Sequence, residues 1–241
     1  ETTARRIGIK GVLHMEVDCA PTDIAAENTF VGELMAQPGS LMRGAISSAR
    51  PESGDCEAFL DTLDLDVVKG IRRVLHVVPD DLSQGSLFRE NVRRIGKKGL
   101  PFDICVLQRQ LPLARDLVDA CPDTVFVLDH CGVPDIAGDG FADWAQSISA
   151  LAKRPHVNAK ISGITAYAKP DWTLETLRPY VEHIIECFGW DRVVWGSDSP
   201  VCTLNSSLDQ WMAVTQALIA GASETERASL THRNAQRIWS I

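Results

Sequence analysis

The sequence predicts an α/β protein of the TIM-barrel class, a (β/α)8 barrel, and three observations carry that prediction. Seven short apolar runs alternate with segments whose apolar residues recur at helical spacing. The runs are mostly continuous rather than alternating, as in parallel strands covered on both faces. Ionisable residues gather at the carboxyl ends of the runs, where barrels of this class carry their chemistry. Each intervening helix must carry the chain back before the next strand starts, so the sheet is parallel. Seven strands are one short of closure and the chain opens on Glu1, so the barrel's first strand is expected upstream of Glu1. An open doubly wound sheet is the competing architecture, but no Gly-rich phosphate loop follows any strand.

The first strand is expected over residues 11–17 (GVLHMEV), followed by a helix opened by Pro21 and striped by Ile24, Val31, Leu34 and Met35. A second strand over 41–47 precedes a helix carrying Cys56, Phe59, Leu60 and Leu63. The third is expected over 71–78, with a helix over 86–98 that turns Phe88, Val92 and Ile95 inward. A fourth over 102–107 precedes a short helix through Leu113, Leu117 and Val118. The fifth covers 125–128, with Trp144, Ile148 and Leu151 striping the next helix, and the sixth covers 157–161. Leu177, Val181, Ile184, Ile185 and Phe188 stripe a long helix before the seventh strand, 192–195. Two closing helices carry Trp211, Met212 and Leu218, and then residues 234–239.

The 241 residues suffice for one sizeable core, and a single domain over residues 1–241 is expected. A net charge of -8 with scattered Lys and Arg argues against nucleic acid as a partner. No apolar run approaches a membrane span, so no membrane partner is expected; the expected partner is a small-molecule substrate, and the chain is open to forming a homo-oligomer. Seven widely spaced cysteines without a C-x-x-C pair suggest reduced thiols and a cytoplasmic protein.

The chemistry-bearing residues fall at strand ends: Glu16 and Asp18 after the first, His76 after the third, Gln108 after the fourth. Asp129 and His130 follow the fifth, Lys160 and Ser162 the sixth, and Asp198 the seventh. Residues two apart on a strand share a face, which groups Arg72 with His76, Lys160 with Ser162, and His14 with Glu16 and Asp18. That last trio reads either as a metal half-site or as a hydrogen-bonded strand end. Glu52 reads either as a loop ligand or as an acid favoured at a helix start. Arg72 within a parallel strand requires an anionic partner or ligand, and Lys160 raises the same demand. Cys131 adjoins His130 but points to the other face, and Gly196-Ser197-Asp198 lacks the second glycine of a nucleophile elbow.

The pieces GIRRVLH (70–76), PFDICV (101–106), FVLDHCG (126–132), AKISG (159–163), VVWGSDSPV (193–201) and NAQRIW (234–239) resemble, in this order, the amidohydrolase-2 family, especially its sugar-lactone and pyrone-dicarboxylate lactonase branch. The resemblance spans nearly the whole chain. It implies a hydrolase opening a small polar or carboxylated lactone, with Asp198 as general base and His130 at the carbonyl. Arg72, His76, Lys160 and Gln108 would then bind substrate. The family also contains metal-dependent decarboxylases, and a degenerate ligand-binding barrel is the non-enzymatic alternative. Two departures stand out: the family's His-x-His on its first strand is absent, and Ser199 stands where many relatives have an aromatic. The visible candidates for a metal are Glu16, Glu52, His130 and Asp198. They suggest no tightly bound cofactor in this chain, with zinc expected only where an upstream His-x-His strand completes the set.

Overall fold

The computed structural model describes residues 2–241. Among them seven strands form one parallel sheet in sequence order: β1 (Val12–Met15), β2 (Met42–Ser48), β3 (Val68–Val74), β4 (Phe102–Cys105), β5 (Phe126–Leu128), β6 (Val157–Ile161) and β7 (Val193–Trp195). The sheet curls as in a TIM barrel, with helices on its outer side, and β1 and β7 are its edges.

Alternation along the strands divides the core in two. Phe102, Ile104, Phe126, Leu128, Val157, Ala159, Ile161 and Val193 face outward into the large cluster shared with the helices. Their neighbours Ile46, Val127 and Val194 face inward, where Leu13 and Met15 of β1 join them. The terminal helix Asn234–Trp239 closes this inner cluster with Ile238 and Trp239. Asn234 anchors that helix by donating through Nδ2 to the carbonyls of Trp190 and Val193, each at 2.7 Å.

The first strand shortens from 11–17 to Val12–Met15 and the fourth from 102–107 to Phe102–Cys105, and two further expectations that bear on the site change. The third strand runs over Val68–Val74 rather than 71–78, because its neighbour β4 ends at Cys105, the partner of Val74. His76 therefore lies on the loop beyond the strand, next to the exposed Val77. The grouping of His14 with Glu16 and Asp18 also fails. His14 turns outward to Glu27 on the helix Ile24–Met35 (Nε2 to Oε1, 2.8 Å), whereas Glu16 turns into the barrel. The chain leaves the sheet after Met15, and the two-residue alternation ends with it.

No helix of the described residues is long and apolar enough to cross a membrane. All seven cysteines are free thiols.

Candidate active site

Above the inner apolar layer lies a chain of buried ion pairs. Arg72 on β3 donates through Nε to Glu16 Oε1 (2.6 Å), through Nη2 to the Glu16 carbonyl (2.6 Å) and through Nη1 to Asp129 Oδ2 (3.3 Å). Lys160 on β6 donates to Asp129 Oδ1 (2.5 Å) and to Asp103 Oδ2 (2.8 Å). Its ammonium also sits 5.5 Å over the Trp239 ring, a cation-π contact that joins the ionic layer to the apolar floor.

Burial alone would lower the Lys160 pKa, but Asp103 and Asp129 outweigh it and hold the ammonium charged. The two acids divide unequally. Burial would raise both, yet Asp129 is held down to about 2 by Lys160, His130 and Arg72, whereas Asp103 rises to about 6. Asp129 touches two cations and Asp103 one, so Asp103 takes the first proton.

The barrel mouth carries His130 and Asp198. Both have left-handed backbone, each with φ of 52°, and Cys131 (54°) and Val133 (44°) continue the strain after β5. Such backbone in non-glycine residues, above all a β-branched one, is costly and persists where the surroundings over-determine it. Here they do. Trp144 Nε1 donates to the Cys131 carbonyl (2.8 Å), and Trp211 Nε1 to the Gly196 carbonyl (2.9 Å), which pins both strand-end loops.

His130 Nε2 lies 3.7 Å from Asp198 Oδ1, beyond a hydrogen bond, and its Nδ1 lies 2.9 Å from Ser162 Oγ. Burial lowers the His130 pKa and raises that of Asp198, so the imidazole is neutral. Asp198 Oδ2 is buried and has no hydrogen-bond partner among the described residues. A carboxylate oxygen in that state is a proton acceptor without a protein donor.

The other sequence candidates take separate positions, and the cavity that Gln108 lines has neither His130 nor Asp198 in its wall. His76 is half-buried, with Nδ1 3.4 Å from Cys105 Sγ, and burial lowers its pKa. Gln108 lies on the wall of a cavity of about 580 Å³ whose lining includes Arg109, Asp135, Asp143 and Tyr167. It also braces that wall, donating to the Gly140 carbonyl (2.9 Å) and accepting from the Asp135 N–H (2.8 Å). Glu52 pairs with Arg73 (2.7 Å), which faces away from the barrel interior.

Two residues, Asp103 and Tyr167, escaped the sequence reading, as did the role of a third, Asp129. Asp103 is the acid within the apolar run PFDICV, a buried charge that required a partner. Asp129 was legible as a strand-end acid but not as the hub between Arg72 and Lys160. Tyr167, on the loop after β6, left no periodic signal. It is half-buried on the cavity wall, and burial pushes its phenol up to about 12, which keeps it a hydrogen-bond donor.

A family model described as Amidohydrolase matches residues 3–241. The chain belongs to the amidohydrolase family. An uncharacterised protein of Sinorhizobium fredii is 28% identical over 251 residues, covering 99% of this chain and 83% of that protein. An L-fucono-1,5-lactonase of Burkholderia ambifaria is 32% identical over 155 residues, covering 64% of this chain and 53% of the lactonase. The match thus spans about half the length of that enzyme. An amidohydrolase from Burkholderia multivorans, crystallised with bound zinc, superposes with a TM-score of 0.92 at 21% identity, over 100% of this chain and 86% of that one.

A catalytic zinc takes three protein ligands and leaves one position for water. Of the four candidates, Glu16 is committed to Arg72 and Glu52 to Arg73, which leaves His130 and Asp198. Cys105, Asp129 and His130 present ligand atoms within 4.8 Å of one another, but both Asp129 oxygens already accept from Arg72 and Lys160. Two cations at that carboxylate oppose a third. The described residues of this chain therefore do not complete a zinc site.

Proposed function

We propose that this chain is a hydrolase that opens a small, uncharged, polyhydroxylated lactone. The observation that carries the reading is Asp198 Oδ2, buried and unpartnered beside the His130 imidazole at the barrel mouth. Asp198 removes a proton from water as the water oxygen bonds to the lactone carbonyl carbon. The carbonyl π electrons move onto oxygen, where His130 Nε2–H stabilises the developing charge. Collapse of the tetrahedral intermediate breaks the ring C–O bond, and the proton held by Asp198 passes to the leaving alkoxide. The product is a hydroxy acid, ionised at neutral pH.

Charge decides between an uncharged and a carboxylated lactone. Arg72 and Lys160 are paired with buried acids, Arg73 with Glu52, Arg50 with Asp18 and Arg109 with Asp80. The cavity wall adds Asp135 and Asp143. A ligand carboxylate there would have to break an existing ion pair, whereas hydroxyls can bond to the acids, Gln108 and His76. The lactonase relative supports the lactone class.

A panel of neutral aldonolactones and carboxylated lactones, followed with a pH indicator, checks this. Turnover confined to neutral lactones is expected. A preference for a carboxylated lactone, or carbon dioxide release from an aromatic acid without any lactone opening, would reverse the assignment.

The same reading holds that this chain retains no tightly bound zinc. Elemental analysis after dialysis should find well under one zinc per chain. A stoichiometric zinc that disappears in His130→Ala would overturn that expectation.

A further inference from the structure

The Ser162 hydroxyl is nearly inaccessible, and its only hydrogen-bond partner among the described residues is His130 Nδ1, at 2.9 Å. The nearby Cys131 thiol is directed at the Lys160 carbonyl, 3.6 Å away. A buried hydroxyl proton requires an acceptor, and the imidazole nitrogen is the one in reach. The neutral ring carries one proton, so an accepting Nδ1 places that proton on Nε2.

We infer that Ser162 is a positioning residue that sets the tautomer of His130, leaving Nε2–H on the Asp198 side of the ring as a fixed donor for the substrate carbonyl. The packing holds the pair in this arrangement. A Cβ at Gly163 would lie 2.7 Å from His130 Nδ1, and one at Gly196 would lie 2.9 Å from Ser162 Cβ, so both positions must be glycine for the ring and hydroxyl to meet. Gly163 also has φ of +72°, which a side chain would strain.

The tautomer has a chemical consequence. A histidine that binds a metal through Nε2 needs the lone pair there, and its Nδ1–H is usually donated to an acceptor. Ser162 imposes the opposite polarity: Nε2 is a donor, suited to an oxyanion and unsuited to a cation. The catalytic significance rests on the proposed lactone hydrolysis; the tautomer itself does not.

The test is 15N NMR of the histidine ring nitrogens, with His130 assigned among the six histidines by the loss of its signals in His130→Gln. Wild type should show a pyridine-type Nδ1 and a pyrrole-type Nε2, and Ser162→Ala should shift His130 toward a mixture. Ser162→Ala should also lower kcat about tenfold, the scale of one hydrogen bond's bias, with KM little changed. Ser162→Thr, which keeps a hydroxyl, should restore the tautomer. A pyrrole-type Nδ1 in wild type, or Ser162→Ala with wild-type tautomer and kcat, overturns the inference. The NMR measurement needs no substrate, so it separates this inference from the lactone assignment, which the substrate panel tests.

Discussion

Asp198→Asn is expected to lower lactone turnover by about 10²–10⁴-fold, the usual worth of a positioned general base, with little change in KM. Asparagine keeps the shape of the side chain but cannot accept the proton from water. Stability should move the other way. The folded pKa of Asp198 lies above its unfolded value because of burial, so its contribution is complete below the unfolded pKa and is lost as pH rises through the folded one. At neutral pH the ionised carboxylate therefore costs stability, and the neutral amide should leave the thermal midpoint unchanged or raised. An inactive variant with a lowered midpoint would show damage to the fold rather than loss of a base.

The same pKa fixes the acid limb of the rate profile. The base works ionised, and burial raises its pKa, so kcat/KM should fall at a higher pH than an ordinary aspartate would dictate. His130 is shifted down by burial, against the pull of Asp129 and Asp198, so its protonation adds to the acid limb only below the ordinary histidine range. An acid limb at or below the ordinary aspartate range would remove Asp198 from the role.

The fold was legible because its signal is redundant. Phe102, Ile104, Phe126, Leu128, Val157, Ala159 and Ile161 are buried from the helical side, and the continuous apolar runs they belong to mark parallel strands whatever their register. Strand ends were less legible, because a strand stops where its partner stops. Nothing in Leu75, His76 or Val77 records that β4 ends at Cys105.

For the site, the sequence could place residues at one end of the sheet but could not say which of them satisfy one another. His130 and Asp198 were legible as strand-end groups, and the structure brings them within 3.7 Å. Arg72 and Lys160 were legible as buried cations that required anions, but a ligand and an internal acid meet that requirement equally well on paper. The choice depends on inward alternation from four strands at once, which sets Asp103 and Asp129 against them. Tyr167 lies on an irregular loop, where no periodicity constrains a side chain.

Lys160→Met is expected to be the most destabilising single change in the ionic layer, by about 3–5 kcal/mol at neutral pH. The lysine is the one cation on Asp103 and one of two on Asp129, and all three groups are buried. Methionine fills much of the aliphatic stem's space, so the loss is electrostatic rather than a cavity. Asp129 keeps Arg72 at 3.3 Å, whereas Asp103 keeps no cation among the described residues and already has an Oδ1 that none of them partners. The deficit should shrink on acidification. Asp103 titrates at about 6 in the folded wild type because of burial, well above the unfolded range near 4, and removing Lys160 raises it further. A folded pKa above the unfolded one means that protonation at low pH restores stability. Urea unfolding of the variant at pH 7.5 and at pH 5 measures both parts, and Lys160→Met/Asp103→Asn should recover much of the loss at the higher pH. A deficit under about 1 kcal/mol, the range of an exposed pair, would mean that water reaches these groups and that the layer is not the buried electrostatic frame beneath His130 and Asp198.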